Sequence, residues 1–183
     1  MGSDKAFLDL AGRSLLSRAL ELARAVTPDV RVVGEPEKFA TFGVVVNDVY
    51  SGRGPLGGIH AALVSSVTDW NLILAVDLPF LDLRFLHYLV AEAQSAGAVV
   101  TVPSDGGYLH PLCAVYRKRF CVTAERALAE GRNKLDALFS EVPVRILGEE
   151  ELLAAGFNPS IFGNLNTPDD WEQAKRQFAS PQE

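Results

Sequence analysis

Cysteine and histidine are scarce in this sequence, and positive charge is in the minority. Only Cys113 and Cys121 are present, without Cys-x-x-Cys spacing, and the three histidines, His60, His87 and His110, stand too far apart for a ligand motif. A disulfide framework and a zinc site therefore have no basis, and idle thiols and surface or core histidines are the expectation. No run approaches the roughly 18–20 apolar residues of a membrane-spanning helix, and no charged-then-apolar signal segment opens the chain. The expected location is the cytoplasm, with no membrane partner. Seventeen Lys and Arg face 23 Asp and Glu, a net charge of −6, which is the wrong balance for a nucleic-acid surface. A phosphate-cradling Gly-x-x-x-x-Gly-Lys-Ser/Thr is also missing, which argues against a P-loop hydrolase.

What remains is 183 residues, 48% of them hydrophobic. They suffice for one domain over residues 1–183 with a sizeable core and a polar tail at 179–183. Helical and strand-like periodicities alternate without repeats. Ser14 suits the N-cap of a helix through Leu15, Leu16, Ala19, Leu20 and Ala23 that Pro28 stops. Apolar strands are expected at 30–34, 43–47 and 71–76, with a helix from about Pro55 to Ser66 between the last two. Asp82 caps a helix to about Ala96, strands follow near 98–103, 111–116 and 142–147, and a terminal helix covers 171–178. This alternation predicts an α/β fold, a three-layer α/β/α Rossmann-like domain with a mostly parallel mixed sheet.

In open α/β sheets ligands collect beyond the carboxyl ends of strands. Asp77 follows the unbroken apolar strand Asn71 to Val76, and Asp82 is better placed to cap the next helix. Asp77 is thus left for a hard cation such as Mg²⁺, which takes one or two carboxylates together with substrate phosphates. Asp48 follows the preceding strand on the same edge, where its carboxylate can accept the paired N–H donors of guanine or simply form a turn.

Gly52-Arg53-Gly54-Pro55-Leu56-Gly57 satisfies the dinucleotide fingerprint in letters only. Asp48 to Ser51 separate it from the strand, and Pro55 suits a helix start. Instead, Gly57 and Gly58 would let a base or ribose approach bare backbone. In Asn164-Leu165-Asn166-Thr167-Pro168-Asp169-Asp170, Thr167 suits a cap, Pro168 the first helical position and the acids the helix N-terminus. The carboxamides of Asn164 and Asn166 remain for phosphate or Mg²⁺. Arg117, in a basic Arg117-Lys118-Arg119 run, is either a solvated face or a phosphate ligand. No Ser, Cys or His nucleophile constellation is evident.

Met1-Gly2-Ser3-Asp4-Lys5, Gly54-Pro55-Leu56-Gly57-Gly58-Ile59, Val76-Asp77-Leu78-Pro79, His110-Pro111-Leu112 and Asn164-Leu165-Asn166-Thr167-Pro168 together resemble the molybdenum cofactor guanylyltransferase family. Its members join GMP from GTP to the terminal phosphate of molybdopterin. The resemblance implies Lys5 and Asp77 as catalytic residues, with Lys5 on the triphosphate and Asp77 on Mg²⁺. It implies GTP contacts from Asp48, Gly54, Gly57 and Gly58, and substrate contacts from Arg117, Asn164 and Asn166, with Asn166 as a second metal ligand. Transient contact with cofactor-delivery proteins or molybdoenzymes follows as an expectation. The family's strand and Gly-rich loop, roughly Leu-Ala-Gly-Gly-x-Ser-x-Arg, precede the segment matched by Met1. Here they fall outside the sequence, so either the start lies upstream or the protein binds without transferring. A related nucleotidyltransferase using CTP or another phosphate acceptor is the remaining alternative.

Overall fold

The structure, a computed structural model, describes residues 5–50 and 52–179. A 3₁₀ turn at Lys5–Phe7 leads into a short hairpin, β1 (Asp9–Leu10) and β2 (Arg13–Ser14). Helix α1 (Leu15–Val26) follows, then β3 (Arg31–Val33), the short α2 (Pro36–Phe39), β4 (Val44–Val46), α3 (Pro55–Ser65) and β5 (Trp70–Leu74). The second half contains α4 (Leu83–Ala96), β6 (Val100–Asp105), β7 (Tyr108–Leu109), β8 (Cys113–Arg117) and α5 (Phe120–Ala129). It closes with α6 (Leu135–Leu138), β9 (Val144–Leu147), α7 (Glu149–Ala154) and α8 (Pro168–Ala179).

The expected caps form. Ser14 accepts a hydrogen bond from the Ser17 amide at the start of α1, and Asp82 accepts one from the Arg84 amide at the start of α4. Such caps satisfy amides that a helix leaves without an internal partner. The salt bridge from Arg84 and the hydrogen bond of its amide also hold the Asp82 carboxyl below its ordinary range. That occupation agrees with a capping role and leaves Asp77 free of one.

Strand β8 lies between β5 and β6 and is antiparallel to both, while β9 joins β6 in parallel. Its side chains alternate strictly. Ala114 and Tyr116 enter a core with Leu56, Ile59 and Leu63 of α3 and Phe120 and Leu128 of α5. Cys113 and Val115 enter the opposite core with Phe85, Leu86 and Leu89 of α4. A strand covered on both faces must be apolar at successive positions, which gives the three layers expected from sequence. Burial raises the Cys113 thiol far above its usual range, so it serves packing rather than chemistry.

Strands β3 and β4 form a separate parallel pair. Arg31 of β3 donates to the carbonyl of Ser65 at the end of α3, whereas Val33 lies against Gly58 near its beginning. Because α3 runs toward the entry of β5, this places β3 and β5 in the same direction. No ladder joins β3 to β5 among the described residues. Between them lies an apolar slot of about 540 Å³, lined by Leu16, Leu20, Val32, Ile59, Leu72 and Val76 among others.

Candidate functional site

The C-terminal edge of the sheet gathers groups from distant parts of the chain. Lys5 Nζ donates to Asn166 Oδ1 at 2.7 Å. The next residue back, Leu165, donates its amide to the carbonyl of Asp77 at 3.2 Å. Lys5, Asp77 and Asn166 are thereby held in one cluster, although 161 positions separate the lysine from the asparagine. The Asp77 carboxylate is half-buried and has no hydrogen-bond or ion-pair partner among the described residues. A carboxylate held off from bulk water without a protein cation is an oxygen donor suited to a hard metal ion. No group of three or more His, Cys, Asp or Glu side chains forms a complete cage among the described residues. Asn166 is different, because its oxygen already accepts the lysine ammonium. It positions Lys5, and metal ligation would require that bond to open.

The loop carrying Asn166 is fixed by a reciprocal cap. Thr167 Oγ1 accepts from the Asp170 amide at 3.1 Å, while Asp170 Oδ2 accepts from the amides of Thr167 at 2.7 Å and Asn166 at 3.0 Å. These amide bonds, chiefly that from Thr167 and aided by Lys5, hold the Asp170 carboxyl below its usual range. Sequence reading assigned the acids here only to the helix N-terminus. The Thr-x-x-Asp spacing, a capping-box pattern with Asp in place of Glu, was the signal for the further role. Asn164 is exposed and borders a smaller cleft of about 220 Å³ with Phe80, Asp170, Gln173 and Gln177. Gly163 permits this arrangement, since a Cβ there would meet the Phe80 ring at 3.2 Å.

At the start of α3 the glycines differ in role from the sequence expectation. A Cβ on Gly57 would stand 2.9 Å from both Asp48 carboxylate oxygens and 3.1 Å from the Tyr50 carbonyl. The space freed by Gly57 is filled by Asp48 and is not left open for a base. Gly58 turns toward Val33 and the apolar slot, at 3.7 Å. Gly54 keeps an open approach. It has φ 65° and ψ −155°, backbone that favours glycine, and nothing lies within 4 Å of an added Cβ. Asp48 Oδ1 accepts from the Tyr50 amide at 2.9 Å, so the turn role is real, and Oδ2 has no hydrogen bond from the described residues.

Arg117 requires the largest correction. It pairs in register with Trp70 at the start of β5, roughly 20 Å along the strand from Asp77. There its Nε donates to Asp69 at 2.8 Å and its guanidinium lies 4.6 Å from the Trp70 ring centre. Strand direction places it at the opposite edge of the sheet, where it clamps the β5–β8 pair. His110 stacks on Phe162, with ring centres 4.3 Å apart, and burial lowers its pKa. Of the tail expected at 179–183, Ala179 belongs to α8 instead, and residues 180–183, like Met1–Asp4, lie outside the described residues.

Among the described residues no helix is long and apolar enough to cross a membrane. The family model for the MobA-like NTP transferase domain matches residues 1–145. The molybdenum cofactor guanylyltransferase of Desulfosudis oleivorans is 32% identical over 95% of this chain and 87% of its own length. A probable enzyme of that name from Pelotomaculum thermopropionicum is 34% identical, over 96% of this chain and 85% of its own. Among solved structures, molybdopterin-guanine dinucleotide biosynthesis protein A from Archaeoglobus fulgidus superposes with a TM-score of 0.84. It is 28% identical and is matched over 97% of this chain and 92% of its own.

Proposed function

This chain belongs to the family of MobA-like NTP transferase domains, and we propose that it transfers GMP from GTP to the terminal phosphate of molybdopterin or the molybdenum cofactor. The observation that carries the reading is the cluster of Lys5, Asn166 and Asp77 at the C-terminal sheet edge, joined to the relatives named above. In the proposed step an oxygen of the acceptor phosphate attacks the α-phosphorus of GTP. A new P–O bond forms, the bond from the α-phosphorus to the bridging oxygen breaks, and pyrophosphate leaves with that electron pair. The acceptor phosphate is already anionic, so no general base is needed. Orientation and charge neutralisation carry the rate.

Lys5, held by Asn166, places a positive charge on the triphosphate, and the reciprocal cap around Asp170 keeps Asn166 in register. The unpartnered carboxylate of Asp77 would hold Mg²⁺, which when bound supplies further neutralisation of the triphosphate and the departing pyrophosphate. The free oxygen of Asp48 is suited to accept from the guanine edge, and Gly54 leaves room for the ribose or base beside it. Asn164 and its polar cleft offer hydrogen bonds to the acceptor. The setting is the cytoplasm, with transient contact to a delivery protein or recipient molybdoenzyme.

The test is Mg²⁺-dependent pyrophosphate release from GTP with molybdopterin, compared with CTP, in wild type and Asp77→Ala. The expected outcome is a preference for GTP and a loss of about 10²–10³-fold in the variant with an unchanged melting temperature. Retained release in Asp77→Ala removes the metal role. A preference for CTP favours a cytidylyl relative, and GTP binding without release favours a non-catalytic binding protein.

A further inference from the structure

We infer that Arg53 binds the terminal phosphate of the acceptor, filling the place that the position of Arg117 at the opposite edge leaves open. The identity of that acceptor rests on the proposed transfer. Among the described residues, every arginine except Arg53 and Arg119 has a protein partner. Arg119 is exposed, with its charge in water, whereas Arg53 is half-buried. A guanidinium partly withdrawn from water without an anion is costly, and its planar fork of donors matches a phosphate.

Arg53 stands between Gly52 (φ 76°) and Gly54 (φ 65°), left-handed backbone that lets the loop turn sharply before α3. Its amide donates to the Tyr50 carbonyl at 3.2 Å, which fixes the turn. Helix α3 runs toward the entry of β5, and α5 starts from the exit of β8, which is antiparallel to β5. The two helices therefore run in opposite directions against one core, and the end of α5 lies beside the start of α3. There Arg53 Nη1 stands 3.9 Å from where a Cβ on Gly131 would lie. The structural alternative is a cation serving the C-terminus of α5. The carbonyls at that end are already taken, since those of Arg126, Ala127 and Leu128 accept the amides of Glu130, Arg132 and Gly131. The acids there are taken too, Glu130 by Arg132, and Glu141 by Arg126 and Arg132. Arg53 has no hydrogen bond or ion pair to make with α5 and is left for a ligand.

Position selects the acceptor over the nucleotide. In the proposed reaction Asp48 faces the base and Lys5 and Asp77 face the triphosphate, which sets GTP along the side from β4 to β5. Strands β8 and β6 lie on the other side of β5, and α5, toward which Arg53 reaches, packs on β8 through Phe120 and Leu128. Leu112 connects the two regions. Its carbonyl accepts the amide of Ala75, two residues before Asp77, and its side chain packs against the cluster that holds Leu56 of α3. An acceptor phosphate that attacks from the side GTP leaves free therefore passes the Arg53 loop. Other cations at this edge are engaged or solvated: Lys5 is bonded to Asn166, Arg132 is held by two glutamates, and Lys134 is exposed. Arg53 would offset the charge of the incoming phosphate against the triphosphate and orient one of its oxygens for attack.

The experiment is a thermodynamic cycle between Arg53 and the phosphate. An oxidised, fluorescent form of the pterin acceptor is titrated into wild type, Arg53→Ala, Arg53→Lys and Arg119→Ala, with its phosphate ester intact and after phosphatase treatment. We expect phosphate removal to weaken binding by wild type about 10–100-fold and to change binding by Arg53→Ala little. Arg53→Lys, which keeps the charge and loses the fork, should fall between them. Arg119→Ala removes the same charge from the opposite edge and should behave as wild type. In turnover, Arg53→Ala should raise the KM for the acceptor and leave the KM for GTP and the melting temperature unchanged, since no protein bond is lost. Equal losses on phosphate removal in wild type and Arg53→Ala overturn the inference, as does the same effect from Arg119→Ala. A raised KM for GTP alone overturns it in favour of a nucleotide contact. If the chain binds neither pterin, the proposed transfer fails, and the phosphate site is read with ribose 5-phosphate instead. A melting shift with that ester that Arg53→Ala abolishes keeps the site, and equal shifts, or none, overturn it.

Discussion

Replacing Gly57 by alanine sets helix propensity against packing at the start of α3. In an unobstructed helix the change should stabilise by about 1 kcal/mol, because glycine carries the greater conformational cost. Here the new methyl meets two carboxylate oxygens at 2.9 Å and a backbone carbonyl at 3.1 Å. Overpacking of this kind costs about 1–3 kcal/mol. The difference predicts a net destabilisation of about 1 kcal/mol, and a fall in melting temperature of about 2–4 °C for a domain of this size. The carboxylate is the movable partner, so Asp48 should shift away from its bond to the Tyr50 amide. Urea unfolding of Gly57→Ala, Asp48→Ala and the double variant measures the coupling, expected at about 1 kcal/mol in the direction of relief. If Asp48 also contacts guanine, Gly57→Ala and Asp48→Ala should each raise the KM for GTP without adding when combined. A Gly57→Ala protein that gains the full helix benefit, together with additive effects on stability and KM, would refute the reasoning.

Arg117→Ala should lower stability by about 1 kcal/mol through loss of the Asp69 bond and the Trp70 contact, while leaving the KM for nucleotide unchanged. A raised KM without loss of stability would return Arg117 to the substrate site. Burial favours the neutral form of His110, opposed by Asp105. Its pKa is depressed, so its contribution is complete above the ordinary value of about 6.5 and is lost as pH falls from there toward the lower folded value. His110→Phe, which keeps a ring against Phe162, should flatten the decline of melting temperature below pH ~6.5. An unchanged slope in that variant would assign the decline to other groups.

The periodicity and caps of the sequence specify most local elements. Ser14, Asp82 and Pro55 mark helix starts because their roles depend on neighbours within one turn. Asp77 was legible as a strand-end carboxylate without a capping task, since strand order along the chain suffices for that statement. The meeting of Lys5 with Asn166 was legible only through resemblance, because nothing local relates residues so distant in the chain. Arg117 and Gly57 mark the boundary of sequence reading. A basic residue after a strand has no edge assigned to it until strand direction is known, and antiparallel β8 carries Arg117 to the edge opposite Asp77. A glycine before an apolar helix shows that a side chain is missing, but only packing decides whether ligand or protein fills the gap. The sequence alone thus determined the α/β alternation, the helix starts and the candidate acids, all products of short-range backbone chemistry. The tertiary structure decided which of those groups share an edge, that Asp48 occupies the space beside Gly57, and that no ladder joins β3 to β5 among the described residues, because each depends on how distant segments pack.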